Sequence, residues 1–267
     1  LAAGEDCKHK YQNQFIKEKG KKMNTTNNET STVWRGNTIT ERSTVWRRIA
    51  IVTLLLLVLV GPNFGPLPHL LRESLSLEGS ITGVLIWFWV AFLIILAVVY
   101  RMNKSASIRE FLTSHGLGAP SGIGPNIAGL ILGLLWGMLF LSSIFQFDPD
   151  ANIAQINGFR ILTALLAAGG ALLEDLITRS FMTNQLHKIG SSKWVQLTVP
   201  ALIFALYHTV WGFNVFSFIF SVVYGLMLGG LFLWGRRSLT PVILAHSLAV
   251  LISEPFATML MFLAPGA

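Results

Sequence analysis

From Ile49 to its end this chain reads as apolar blocks of about 20 residues, parted by short stretches that hold most of the remaining charges. The blocks fall near 49–70, 80–100, 127–147, 158–187, 194–211, 213–234 and 239–263. A helix rises about 1.5 Å per residue, so each block approaches the roughly 30 Å of a bilayer's hydrocarbon core. Lipid offers no partner to backbone N–H and C=O groups, which makes helices the expected form of such segments. The pattern therefore predicts an all-α fold, a polytopic transmembrane helical bundle of about seven spans. In the first block the apolar core, Ile49 to Val60, is short, and Gly61-Pro62-Asn63, Pro66 and Pro68 are expected to break or bend the helix beyond it. No small-residue cleavage pattern comes after it, so it is read as a retained anchor and not as a signal peptide.

Residues 1–48 are a different kind of polymer, rich in Lys, Asn, Thr and Glu, with no sustained apolar period. A short repeat, Ser31-Thr-Val-Trp-Arg35 and Ser43-Thr-Val-Trp-Arg47, is its one regularity. This composition predicts a disordered basic tail. Met23 is expected to begin a shorter product, which would leave residues 1–22 outside the natural protein. The single cysteine, Cys7, lies in that stretch and takes disulfides and thiolate catalysis out of the apolar part.

Composition agrees with the membrane reading: 52% of residues are hydrophobic and 12% charged, against about 25% charged in soluble domains. Of the 20 Lys and Arg, ten precede Ile49, and with five Asp and Glu there they supply +5 of the net charge of +7. A basic segment ahead of a first span is a topology signal, and no nucleic-acid module accompanies it. Positive charge then recurs in alternate loops: Arg42, Arg47 and Arg48; Arg101, Lys104 and Arg109; Lys188 and Lys193; Arg236 and Arg237. The other loops hold Arg72, Arg160, Asp148 and Asp150. The positive-inside rule places the amino end in the cytoplasm and the carboxyl end outside. The expected location is the plasma membrane of a bacterium, with membrane lipids as neighbours.

Ionisable groups inside such blocks change the picture. Glu174 and Asp175 stand side by side, with Arg179 at helical spacing, in the apolar stretch Ile161 to Leu186. Each costs at least about 2.5–3.5 kcal/mol near a bilayer centre, which makes an intramembrane functional site the default reading. Asp175 and Arg179, four apart, are most simply a mutual ion pair. Glu174 is one position off that face and is the better candidate for chemistry. His208 and His246 are the remaining candidates within the spans, and either alone is as readily packing glue between helices. Glu254, ahead of Pro255, is expected near the outer interface. The glycines of Leu130 to Gly137 and of Gly225 to Gly230, including Gly225-x-x-x-Gly229, are read as close helix packing.

Three ordered motifs carry a resemblance. Glu174-Asp175-Leu-Ile-Thr-Arg179, Phe204-Ala-Leu-Tyr-His208 and the stretch from Leu228 through Ser238-Leu-Thr-Pro241 to His246 resemble the EExxxR, FxxxH and HxxxN/D motifs of the CAAX protease and bacteriocin-processing family of intramembrane glutamic endopeptidases. The resemblance covers roughly Ile161 to Leu251. It divides the chain into a tail (1–48), N-terminal transmembrane helices (49–150) and family-like catalytic helices (151–267). Two departures stand out: Asp175 replaces the usual second Glu, and Val250 stands where the last motif has Asn or Asp that helps hold an oxyanion.

The resemblance implies metal-independent hydrolysis of a peptide or protein substrate at the membrane, lipidated in the CAAX case. Glu174 would be general base on a water, His208 its helper and His246 an oxyanion donor, with Asp175 and Arg179 supporting and no cofactor. Glu174, His208 and His246 also make a His2Glu set, so zinc is a lesser alternative, though no HExxH helix is present. A non-catalytic member acting in bacteriocin self-immunity or as a membrane scaffold is the second reading, favoured by Val250. A proton-coupled transporter is the third. All enzymatic readings require Glu174, His208 and His246 to converge. Straight helices leave His208 too far outward, so a helix start or kink at Pro200 is expected to lower it, and Thr240-Pro241 is expected to cap and open the last helix.

Overall fold

A computed structural model describes residues 38–146, 148–212 and 214–263. The chain divides into Leu1–Trp46 and Arg47–Ala267, and the site lies wholly in the second unit. The expectations for residues 1–37, including Cys7, Met23 and the first copy of the repeat, lie outside the described residues. Among the described residues there is no strand, and the order is α1 (Thr38–Leu55), α2 (Pro66–Ser74), α3 (Leu77–Asn103), α4 (Ile108–Ser114), α5 (Ile123–Ser143), α6 (Gly158–Asp175), α7 (Met182–Lys188), α8 (Lys193–Thr209), α9 (Val215–Trp234), α10 (Thr240–Ser253) and α11 (Phe256–Leu263). Polar residues start these helices where the sequence leaves an apolar block. Ser76 accepts from Gly79 N–H, Asn157 from Arg160 N–H, Ser192 from Val195 N–H and Asn214 from Phe216 N–H, each satisfying an orphan donor of a first turn.

Five stretches are long and apolar enough to cross a bilayer: Ile39–Phe64, Leu77–Asn103, Ile123–Gln146, Gly158–Lys188 and Val215–Trp234. A sixth is the pair α10 and α11, bent by 69°. Helix α8 accounts for the difference from about seven expected spans: its 17 residues give a length of about 26 Å, short of a full hydrocarbon core. The first span also begins earlier than its expected start at Ile49. The proline-rich stretch forms α2, a separate helix, as the breakers predicted.

Before α2, α1 passes into a wide π turn at Leu56–Val60 and a tight turn at Gly61–Phe64. Such turns release carbonyls from the regular ladder, and in lipid these need other partners. Indole N–H groups supply them, Trp211 to the Leu57 carbonyl at 2.8 Å and Trp87 to that of Leu59 at 2.7 Å. Large side chains such as Leu134, Leu135, Ile161 and Leu165 are exposed on the bundle's outside, the face a lipid solvent would take.

Close packing of α10 on α5 and α6, and of α9 on α8, builds the inner bundle. Gly129, Gly133 and Gly137, four apart on α5, form the contact face. A Cβ at Gly133 would stand 2.3 Å from the Leu244 carbonyl oxygen, and one at Gly129 2.2 Å from that of Pro241. Gly225 and Gly229 meet Ala201 and Leu197 of α8 in the same manner. The packing reading holds for Gly133, Gly137, Gly225 and Gly229 but not for Gly230, which points to open space, and the α5 glycines are why α10 can bring His246 deep into the bundle.

Gly133→Ala is expected to destabilise the protein by roughly 1–3 kcal/mol through forced separation of α5 and α10. Gly230→Ala, whose Cβ meets nothing within 4 Å, is the neutral control. Thermal unfolding of both in the same detergent checks the pair.

Candidate active site

Helix α6 ends on Glu174-Asp175, and the chain continues through a second π turn, Leu176–Phe181, before α7. Wide turns of this kind interrupt the regular ladder and recur at functional sites. Successive side chains on a helix diverge by about 100°, and the two carboxylates accordingly meet different partners. Glu174 accepts a hydrogen bond from the Tyr207 hydroxyl of α8. Asp175 faces α10, where its Oδ2 lies 3.1 Å from His246 Nδ1, and its Oδ1 lies 3.7 Å from Arg179 Nε.

Both partners of the Asp175–Arg179 pair are fully buried. The pair expected from spacing is present, and it is one arm of a triad that includes His246. Arg179 makes no side-chain hydrogen bond among the described residues. Its guanidinium instead lies 4.5 Å above the centre of the Phe204 ring, an arrangement that stabilises a desolvated cation. Phe204 thus connects two motifs, since its carbonyl accepts from His208 Nδ1 at 2.7 Å. The His208 ring is further held between Phe64 and Phe204, with centroids 4.2 and 4.1 Å away. With Nδ1 donating, the second nitrogen of a neutral His208 is an acceptor.

Glu174, His208 and His246 line one cavity of about 360 Å³. Its walls are otherwise largely aromatic and aliphatic, with Phe88, Phe92, Phe140 and Phe220 among them. The structure thus brings the three candidates together. Of the start or kink expected at Pro200, the start is absent: α8 begins at Lys193 and carries Pro200 in its interior, where only a kink could act. Nor does Thr240 cap α10. Thr240 is already helical, and its N–H donates to Ser238 Oγ at 3.3 Å, because the turn at Gly235–Leu239 places Ser238 and not Thr240 at the free N–H.

Glu254, expected near the outer interface, is buried. It is 4% exposed and lines the same cavity. The 69° bend between α10 and α11 folds Thr258 back over it, so that one carboxylate oxygen accepts from the Thr258 hydroxyl at 2.9 Å and the other from its N–H at 3.2 Å. Val250 also lines the cavity, one turn from His246.

Two tyrosines carry no motif that singles them out in the sequence. Tyr207 holds Glu174, and its position beside His208 in an apolar helix was the available signal, since a buried phenol needs a partner. Tyr224, from α9, is 4% exposed, lines the cavity and stands edge-on to His246 at 5.4 Å between centroids. Its hydroxyl has no hydrogen-bond partner among the described residues. A lone Tyr in a Gly-rich span gives no pattern to find it by.

No group of three or more His, Cys, Asp or Glu among the described residues is disposed to hold a metal ion.

Neither the curated proteins nor the solved structures gave a significant match to the chain. Residues 156–252, the stretch that supplies Glu174, His208 and His246, match the family described as Rce1-like, type II CAAX prenyl endopeptidase, in accord with the resemblance carried by the three motifs.

Proposed function

We propose that this integral membrane protein is an endopeptidase that hydrolyses a membrane-associated peptide or protein with a water activated by Glu174. The observation that carries the reading is the convergence of Glu174, His208 and His246 on one largely apolar cavity inside a membrane bundle, within the region that matches the endopeptidase family. By the positive-inside rule the end bearing Lys104, Lys188, Arg236 and Arg237 faces the cytoplasm, and a bacterial plasma membrane is the expected location.

Each residue has its own part in the reaction. Tyr207 donates to one oxygen of Glu174, leaving the other to take a proton from water. The acceptor nitrogen of His208 holds that water in place. Hydroxide adds to the carbonyl carbon of the scissile bond, and negative charge develops on the carbonyl oxygen. His246, protonated against Asp175, donates to that oxygen from Nε2, as an imidazole oriented by a buried carboxylate does. The C–N bond then breaks, and the proton held by Glu174 passes to the leaving amine. Each step uses groups already present, and no metal enters it.

Val250 deprives the site of the donor that family members carry at that position. The Tyr224 hydroxyl, buried and unpartnered beside His246, takes its place in this account. Buried donors without partners are costly, and a charge that appears only in the transition state would supply one. The aromatic wall suits an apolar or lipid-modified substrate segment, and prenylated peptides are its first test.

In proteoliposomes, Glu174→Gln is expected to slow cleavage of a labelled prenylated peptide by roughly 10²–10⁴, the usual worth of a general base. Unmodified apolar peptides run beside it show whether the lipid group is required. Cleavage that survives both Glu174→Gln and His208→Ala would remove the assigned base and its helper. A folded wild type that binds these peptides and cleaves none is instead a binding or scaffold protein.

Tyr224→Phe is expected to lower kcat by about 10²–10³, as loss of one oxyanion donor does. Val250→Asn in the Tyr224→Phe background is expected to restore a large part of that loss. Unchanged kcat in Tyr224→Phe would place the second donor elsewhere.

A further inference from the structure

A second pocket, of about 520 Å³, is polar, lined by cations and shares no residue with the cavity that holds Glu174, His208 and His246. Lys104, Lys188, Arg236 and Arg237 line it, with Glu110 as the one carboxylate. Its size falls in the range of small-molecule sites, roughly 300–1,000 Å³.

Four cations against one carboxylate leave the pocket net positive. The ion pairs among the described residues are both at Asp175, so none of the four cations is neutralised by a carboxylate among them. Glu110 is occupied, its Oε2 accepting from Ala106 N–H at 2.7 Å. Arg237 is the built part of the site. It is partly buried, and its two terminal nitrogens donate to Asn184 Oδ1 at 2.8 Å and Gln196 Oε1 at 2.5 Å. These neutral amides fix the guanidinium while leaving its charge intact. His115 is a neutral strut beside it: Nδ1 donates to the Phe111 carbonyl at 2.7 Å, and Nε2 faces the Asn103 amide at 3.1 Å. Burial, and behind it the charge of Lys188, hold the His115 imidazole below its ordinary range.

The pocket's level in the bundle identifies the ligand class. Three spans end there, at Asn103, Lys188 and Trp234, and the cations stand at or within a few residues of those ends. That is the depth of lipid headgroups, and basic pockets between span ends on the positive side bind anionic headgroups.

We infer that Lys104, Lys188, Arg236 and Arg237 form a binding site for a phosphate-bearing anion, and that the occupant is the headgroup of an anionic phospholipid. The site is independent of the hydrolytic reading and stands whether or not the protein cleaves peptides.

The test uses the full chain in neutral detergent, with phosphatidylglycerol, phosphatidylcholine and inorganic phosphate added separately, and reads thermal unfolding together with lipid retained in native mass spectra. Phosphatidylglycerol is expected to bind and stabilise, and phosphatidylcholine is not. Lys104→Gln/Arg236→Gln removes two exposed cations outside the hydrogen-bonded core of the site. It is expected to weaken apparent affinity for phosphatidylglycerol about thirtyfold, at roughly fivefold per charge near a membrane surface. Lys104→Arg/Arg236→Lys, which keeps the charge, is expected to retain the wild-type affinity. Equal stabilisation by phosphatidylcholine, or unchanged phosphatidylglycerol affinity in the Gln variant, would overturn the proposal. Binding of inorganic phosphate alone would overturn the lipid as its occupant.

Discussion

Asp175 is fully buried in an apolar bundle, and a carboxylate there is tolerable only where opposite charge and hydrogen bonds come to it. One partner is local, and the other comes from a distance that helix packing must close. Arg179 approaches from the next turn of the same segment, and His246 from α10. Breaking a buried pair by removing one partner costs about 3–5 kcal/mol, so the arrangement resists any slide of α10 along α6. Gly129 and Gly133 make the approach sterically possible by letting α10 lie against α5. The electrostatic demand of one residue and the small size of two others thus fix where His246 sits.

That constraint frees Glu174. Because Asp175 answers Arg179 and His246, the neighbouring carboxylate keeps one oxygen for Tyr207 and one for the cavity. Two acids in sequence take two roles through helix geometry alone. The Phe204 turn of α8 completes the arrangement by placing its ring under Arg179 and its carbonyl on His208. A single residue of the second motif therefore connects Arg179 to His208, which accounts for an aromatic residue at that position.

The all-α membrane class was legible because apolar blocks near 20 residues have few other outcomes, and Glu174, His208 and His246 because ionisable groups in such blocks are rare. The glycine packing was legible for a similar reason: four-residue spacing puts Gly133 and Gly137 on one face, and Gly129 extends that face by a further turn. What sequence could not carry was three-dimensional satisfaction. The second partner of Asp175 lies 71 positions away, and Tyr224 enters the cavity from a helix with no motif. Glu254 looked like an interface residue because the bend that folds Thr258 over it has no signal beyond one proline. Span count suffered from the same cause, since α8 is complete at 17 residues and length alone does not say where it stops.

The central claim is that water reaches Glu174, His208 and His246 within the lipid layer. Thiol accessibility in intact proteoliposomes tests it directly, in a Cys7→Ser background that removes the chain's one cysteine. Ala171→Cys and Val250→Cys place a small reporter on the cavity wall, Leu134→Cys on the exposed apolar face, and Ser105→Cys in a loop. A water-soluble thiol reagent is expected to label the two cavity positions and the loop while sparing Leu134→Cys. Labelling of the loop alone would show the cavity dry and contradict the account.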